Sequence, residues 1–396
     1  MVLWIWILSY FIISVTAVDF LVQFQPNWSF DNFYQRYFNK KTIDAQGLKN
    51  LGIKTFEMGK FQGLMGELDI EMVRKLYYDK DVAAISIDRE LVLADVQENA
   101  PKHLARLSQR QPLKPDQKHY DFVFDPTGGI GVDIYVLDSG INSQHKEFSK
   151  RVTKIIDLTG EKIDEGSNTS NKLDDPVGHG SFIAGVIASE TYGVAKKANL
   201  FDVRVTNKQS RTKLSSVVNA LNLILQDSKI TKRPTLVVIP LVMKKNAILN
   251  GAVESLVKQG IPVIVPAGNE GKQACNFSPA SAKGALTVGA IDVNDEDSIP
   301  KFSNWGACVD VFAPGVKVKT TGNKENEIVS KTGTSLATGV TAGLVGYFMG
   351  MGDDGNQAIE RIVNYSTPDV IPSDSLGFKP LTANRILFNC EGQPNW

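Results

Sequence analysis

Five strand-like segments, most of them apolar, at 132–137, 199–205, 235–241, 261–265 and 285–290, are separated by stretches of helical character at 179–189, 213–227, 247–259 and 334–349. A strand that is apolar at successive positions is buried on both faces, and strands joined through helices pair in parallel beneath a helical layer on each side. An α/β domain with a parallel sheet flanked by helices is therefore expected from about residue 130 onward. In such sheets, function gathers beyond the carboxyl ends of the strands.

Chemistry-bearing residues stand at those ends. The 132–137 run stops at Asp138-Ser139-Gly140, and the 261–265 run leads into Pro266-Ala267-Gly268-Asn269. Two helical stretches open on Gly178-His179-Gly180 and on Gly333-Thr334-Ser335. A serine hydroxyl is a weak nucleophile until an imidazole takes its proton, and a carboxylate must hold the imidazole's tautomer and stabilise its cation. A carboxamide N–H can stabilise the oxygen that becomes negative as the tetrahedral intermediate forms. Singly, an Asp at a strand end is usually a turn or cap, and a Ser before a helix an N-cap. Together, Asp138, His179, Asn269 and Ser335 point to peptide-bond hydrolysis, and the order Asp, His, Ser is one of three chain orders in which serine hydrolases present these groups. His103, His119 and His145 fall in polar segments and are read as structural loop residues.

These segments, with Ser278-Pro279-Ala280-Ser281, Phe302-Ser303-Asn304-Trp305-Gly306 and Phe312-Ala313-Pro314-Gly315, resemble the subtilisin-like serine proteases, in particular the proteinase K-like branch of the cerevisin type. The resemblance spans nearly the whole chain. It implies a subtilisin-like fold and an endopeptidase with Ser335 as nucleophile, His179 as base and acid, Asp138 orienting it, and Asn269 with the Ser335 N–H as oxyanion hole. No cofactor is then required for the chemistry. Where relatives carry Ser-Leu-Gly-Gly on the substrate-pairing strand, this chain has Pro240-Leu241-Val242-Met243. Proline lacks the backbone donor and Val242 adds bulk, so the cleft formed by Pro240, Leu241 and Val242 with Ala267 and Gly268 is expected to be narrower. Cys275 and Cys308 match cysteines of the same pattern; they either pair, bracing the oxyanion loop, or remain free buried thiols, while Cys390 is expected to be free. Cys308 is placed inside a strand. Asp310 matches a calcium-binding carboxylate whose other ligands are carbonyls near Lys283 and Ala285, with a buried capping role as the alternative.

Upstream, residues 1–17 form an apolar run ending in Val15-Thr16-Ala17, read as a signal peptide, with a retained anchor as the alternative. Residues 18–98 show a β-α-β-β-α-β order, with a hairpin turning at Gly59-Lys60, that resembles the inhibitory propeptide of this family, with an unrelated small binding domain as the alternative. Residues 99–396 form the peptidase domain, with processing expected between Val96 and His103. A formal net charge of zero, with no basic runs, gives no support to nucleic acid or an anionic membrane as partner. The expected partners are polypeptide substrates and the chain's own propeptide, acting on a monomer in the secretory pathway, extracellular, in a cell wall or in a vacuolar lumen. A catalytically weak homologue serving as a secreted binding or regulatory protein is the second functional class.

Overall fold

A computed structural model describes residues 19–26, 33, 36–37, 52–88, 94–161 and 175–391. The signal segment and most of the first helix expected in the small domain lie outside these residues. The chain divides into two compact units, 1–91 and 92–396.

In the small unit, β1 (Asp19–Phe24), β2 (Lys54–Met58), β3 (Phe61–Glu67) and β4 (Val82–Ile87) form an antiparallel sheet in the order β2-β3-β1-β4. The β2–β3 hairpin turns at Gly59-Lys60, where Gly59 has φ +63°. The Ile70–Tyr77 helix begins at Asp69, whose carboxylate accepts from the Met72 N–H and so satisfies one of the orphan donors of the first turn. Val22, Phe24, Phe33, Leu64 and Leu76 are buried together and form this unit's core.

The large unit starts earlier than residue 99. β5 (Asp95–Gln97) pairs with β6 (Phe122–Phe124), and Gln97 Nε2 donates to the Thr191 carbonyl at 3.0 Å, so residues 95–97 are built into the large unit. Just beyond, Arg106 is fully buried and its Nε donates to Asp297 at 2.8 Å, anchoring the segment across 191 residues of sequence.

The central sheet has nine strands. In chain order they are β7 (Asp133–Asp138), β8 (Val152–Asp157), β9 (Asn199–Arg204), β10 (Thr235–Val238), β12 (Val263–Pro266), β14 (Leu286–Ile291), β15 (Val311–Pro314), β18 (Thr367–Pro368) and β19 (Arg385–Ile386). Two antiparallel ribbons stand outside this sheet, β11 (Met243–Lys244) with β13 (Phe277–Ser278) and β16 (Val318–Thr321) with β17 (Ile328–Lys331). The spatial order of the nine is β18-β19-β15-β14-β12-β10-β7-β9-β8, parallel throughout except β18 against β19. All residues of β7, β10, β12, β14 and β15 are buried, which is why these runs read as apolar without alternation. Helices His179–Ala188 and Thr334–Gly350 pack with one face of the sheet in one core, and Leu214–Thr231 and Ala247–Val257 with the other. Residues 334–349 are all buried, so their helix is apolar all round. β8, β18 and β19 and the Gly355–Tyr365 helix were not anticipated, and the strand expected around Cys308 starts at Val311; β8 lies among charged residues and the β18–β19 pair is only two residues long per strand.

Candidate active site

Asp138 closes β7 and is buried. His179 opens the next helix, so a strand end and a helix start bring together residues 41 positions apart, with His179 Nδ1 2.7 Å and 2.9 Å from the two Asp138 oxygens. A carboxylate only accepts, which places the proton on Nδ1 and leaves Nε2 as the acceptor of the neutral ring. The close approach depends on Gly180, where a Cβ would fall 2.1 Å from the Gly140 carbonyl oxygen.

One participant was missed in the sequence. Asp175 is buried, and its carboxylate accepts from the Ser139 hydroxyl (2.7 Å) and from the N–H groups of Gly178 (2.7 Å), Ser181 (2.8 Å) and Val177 (3.2 Å). Gly178, in the capping position of the His179 helix, has no side chain to offer, and Asp175 supplies the missing acceptor from outside. The signal was available in Asp175-Pro176-Val177-Gly178, a turn-forming Asp ahead of a helix start. Burial pushes the Asp175 carboxyl above the ordinary carboxylate range; the charge of Asp138 adds to this and the hydrogen bonds oppose it. For His179, burial disfavours the imidazolium, but the charge of Asp138 and its hydrogen bond, helped by Asp175 and opposed by Lys331, outweigh it. The imidazole is held above its ordinary pKa.

Ser335 is the second residue of its helix, where backbone N–H groups lack intrahelical acceptors. Its hydroxyl donates to the Pro240 carbonyl at 3.3 Å, in the segment that follows β10. Asn269 follows β12 by three residues. Its Oδ1 accepts from both the N–H and the hydroxyl of Thr334, each at 2.9 Å, which fixes the carboxamide beside Ser335 and leaves Nδ2 as its outward donor. A Cβ on Gly333 would lie 3.7 Å from that Nδ2.

Asn304 is a second residue whose work was not foreseen, although its motif was noted. Fully buried, it accepts at Oδ1 from the N–H groups of Glu270 (3.1 Å) and Lys272 (2.8 Å) and donates from Nδ2 to the Ala267 carbonyl (2.9 Å) and the Glu270 carboxylate (2.8 Å). All four of its bonding positions are spent on the loop that carries Asn269. That loop turns at Gly268, whose φ is +108° and where a Cβ would fall 2.3 Å from Asn304 Nδ2. A disulfide joins Cys275 and Cys308, Cα atoms 5.3 Å apart, just after the loop; Cys308 precedes β15 instead of lying in a strand. Cys390 is free and burial pushes its thiol up to about 11.

The remaining histidines are not loop residues of one kind. His103 lies in a buried helical turn with Nε2 2.9 Å from the Tyr192 carbonyl, and burial pushes it down to about 4; His145 is buried with Nε2 2.9 Å from the Glu327 carbonyl. His119 is exposed and contacts Asn99.

Calcium takes six to eight oxygens. Asp310 offers one carboxylate, with Oδ2 accepting from the Thr287 N–H at 2.7 Å, and burial pushes its carboxyl up to about 6. A half-buried acid raised by desolvation, with no ion pair of its own among the described residues, fits a hard cation. Among the described residues no group of three or more His, Cys, Asp or Glu could hold a metal, so further ligands would have to be carbonyl oxygens such as those of Lys283 and Ala285.

The groups here comprise a hydroxyl at a helix start, an imidazole held by a buried carboxylate, and a fixed carboxamide, with the Ser335 hydroxyl bonded to the Pro240 carbonyl and not to His179. They are the parts needed to attack a carbonyl carbon and hold the resulting oxyanion. A profile of the Subtilase family, Peptidase_S8, matches residues 129–358, a span holding Asp138, His179, Asn269 and Ser335. The chain belongs to the subtilase family. It is 31% identical to the subtilase-type proteinase RRT12 of Saccharomyces cerevisiae, over 94% of this chain and 82% of that one. It is 33% identical to proteinase T of Parengyodontium album, over 78% of this chain and 99% of that one. The structure of a cold-adapted subtilisin-like serine proteinase superimposes with a TM-score of 0.65 at 28% identity, covering 74% of this chain and all of that one. The fold is subtilisin-like, and the chain is a member of a serine protease family whose chemistry needs no cofactor.

Proposed function

We propose that this subtilase is an endopeptidase of the secretory route, made as a zymogen that processes itself. Ser335 attacks the scissile carbonyl, His179 Nε2 takes the hydroxyl proton and returns it to the leaving amine, and Asp138 stabilises the imidazolium. The oxyanion lies against Asn269 Nδ2 and the Ser335 N–H. The observation that carries this reading is the pairing of Asp138 with His179 Nδ1, together with an Asn269 whose oxygen is committed to Thr334 and whose N–H₂ is not. The serine's bond to the Pro240 carbonyl suits a resting enzyme, since such hydrogen bonds often tighten onto the base only when substrate binds.

Processing at the junction of the two units suits the fold best ahead of Asp95. A cut within 96–103 would strip β5 from β6 and release the Gln97 contact. The apolar leader and the propeptide-like order of the small unit support entry into the secretory route and inhibition in cis. Among the described residues no helix is long and apolar enough to cross a membrane. The second reading, a binding protein of little activity, draws on Pro240 and Val242 in the substrate segment. Expressing full-length chain beside Ser335→Ala separates the two. Self-cleavage and fluorophosphonate labelling of the first alone supports the enzyme; two unlabelled full-length products would reject it.

A further inference from the structure

A cavity of about 670 Å³ opens between the substrate segment and the oxyanion loop. One wall is Val242 to Lys245, beginning two residues after the carbonyl that accepts the Ser335 hydroxyl; the other includes Glu270, next to Asn269, and Lys272. With Ser335 as nucleophile and Asn269 as oxyanion donor, a bound peptide passes beside this space, because Val242 lies two residues after Pro240 and Glu270 is next to Asn269, and the side chain on the acyl side of the scissile bond is assigned to it. The walls are tied together. β11 pairs with β13, the Lys245 N–H donates to the Asn276 carbonyl at 2.9 Å, and the Lys272 N–H donates to Asn304 at 2.8 Å.

The charge of this cavity is one-sided. Lys244, Lys245 and Lys272 are exposed, and none forms an ion pair among the described residues. The single acid, Glu270, is exposed but engaged by its own loop, with Oε2 accepting from Asn304 Nδ2 at 2.8 Å and lying 2.7 Å from where a Cβ on Gly268 would be. Three cations against one engaged carboxylate leave a net positive recess beside the reacting bond. Val242 in its lining adds bulk that favours a slim side chain over an aromatic one.

We propose that the enzyme selects an acidic residue, glutamate or aspartate, on the acyl side of the bond it cuts, with Lys244 and Lys272 as the specificity-determining cations. This rests on Ser335 and Asn269 holding the roles of nucleophile and oxyanion donor. Exposed charge pairs are individually weak, and two or three acting together across an open cleft set the expected scale.

The test compares peptide p-nitroanilides that differ only in Glu or Gln before the scissile bond, a pair matched in size and shape, with a Lys peptide as the third of the series. For processed wild type, kcat/KM is expected to favour Glu over Gln by about tenfold at low salt, which corresponds to about 1.4 kcal/mol, and the ratio should shrink as ionic strength rises. Lys244→Glu with Lys272→Glu should bring the ratio below one and raise turnover of the Lys peptide, with thermal unfolding showing that the variant is folded. A Glu-to-Gln ratio near one that salt does not change would overturn the proposal while leaving the protease reading intact. If no peptide is cleaved, the protease reading fails by itself. Binding of product-like peptides ending in Glu or Gln to the chain cut ahead of Asp95 by an added protease then decides, and equal affinities would overturn the selectivity.

Discussion

Asp175→Asn is the perturbation that best separates holding the His179 helix from merely stabilising the domain. The substitution keeps the shape and keeps one oxygen, which can still accept from Ser139, Val177 and Gly178. It turns the other oxygen into an N–H₂ group facing the Ser181 N–H, whose 2.8 Å bond is lost. A buried donor left without a partner costs about 1–3 kcal/mol. At about 2 °C per kcal/mol for a unit of this size, Tm should fall by about 2–6 °C. The charge is lost as well. Asp175 helps to raise the His179 pKa, so its neutral replacement lowers that pKa, although Asp138 remains the larger influence. Catalysis needs His179 neutral, and kcat/KM in wild type should therefore rise along an acidic limb lying above the ordinary histidine value of about 6.5. In Asp175→Asn the limb should move to lower pH while kcat falls, because the imidazole is less firmly placed. The assay is a pH profile of kcat/KM on one peptide substrate, read beside differential scanning fluorimetry of both proteins. A lower Tm with an unmoved limb would refute the electrostatic argument, and a limb displaced upward would reverse it.

Two further changes test parts of the molecule that the chemistry does not touch. Arg106→Ala removes one member of a fully buried ion pair and leaves Asp297, whose carboxyl burial already pushes upward, without its partner; a loss of about 3–5 kcal/mol is expected by chemical denaturation, and a loss below about 1 kcal/mol would contradict the anchoring role. Asp310→Asn should do the opposite in a chelated buffer. Because burial raises the native pKa to about 6, its contribution is full below the unfolded value near 3.8 and is lost as pH rises through about 6, a cost of up to about 3 kcal/mol at pH 8. The variant, which can still accept from Thr287, should lack that decline, and added calcium should stabilise wild type alone. Identical pH and calcium responses would remove both the half-buried charge and the cation from consideration.

The alternation of apolar runs and helical stretches was enough to specify a parallel sheet covered on both faces, because continuous burial leaves a strand no solvent side to mark with polar residues. It was also enough to put Asp138, His179, Asn269 and Ser335 at strand ends and helix starts, since those residue types interrupt apolar runs abruptly. Boundaries were less legible. Asp95–Gln97 looks like linker by composition and becomes a strand only because Phe122–Phe124 supplies its hydrogen bonds. β8 is set among charged residues, and the two-residue strands β18 and β19 are too short for any period to show.

What only the tertiary structure decided is who serves whom. Asp175 and Asn304 are ordinary turn residues in sequence, and their value comes from being buried where backbone donors arrive from other segments. Lys244, Lys245 and Lys272 are scattered surface charges until the pairing of β11 with β13 sets them around one recess. Local sequence fixes a residue's chemistry and the element that carries it, but burial and hydrogen-bond partners come from chain segments tens to hundreds of residues away. Those long-range neighbours, and not the side chain alone, set the charge state of His179 and the use to which each carboxylate is put.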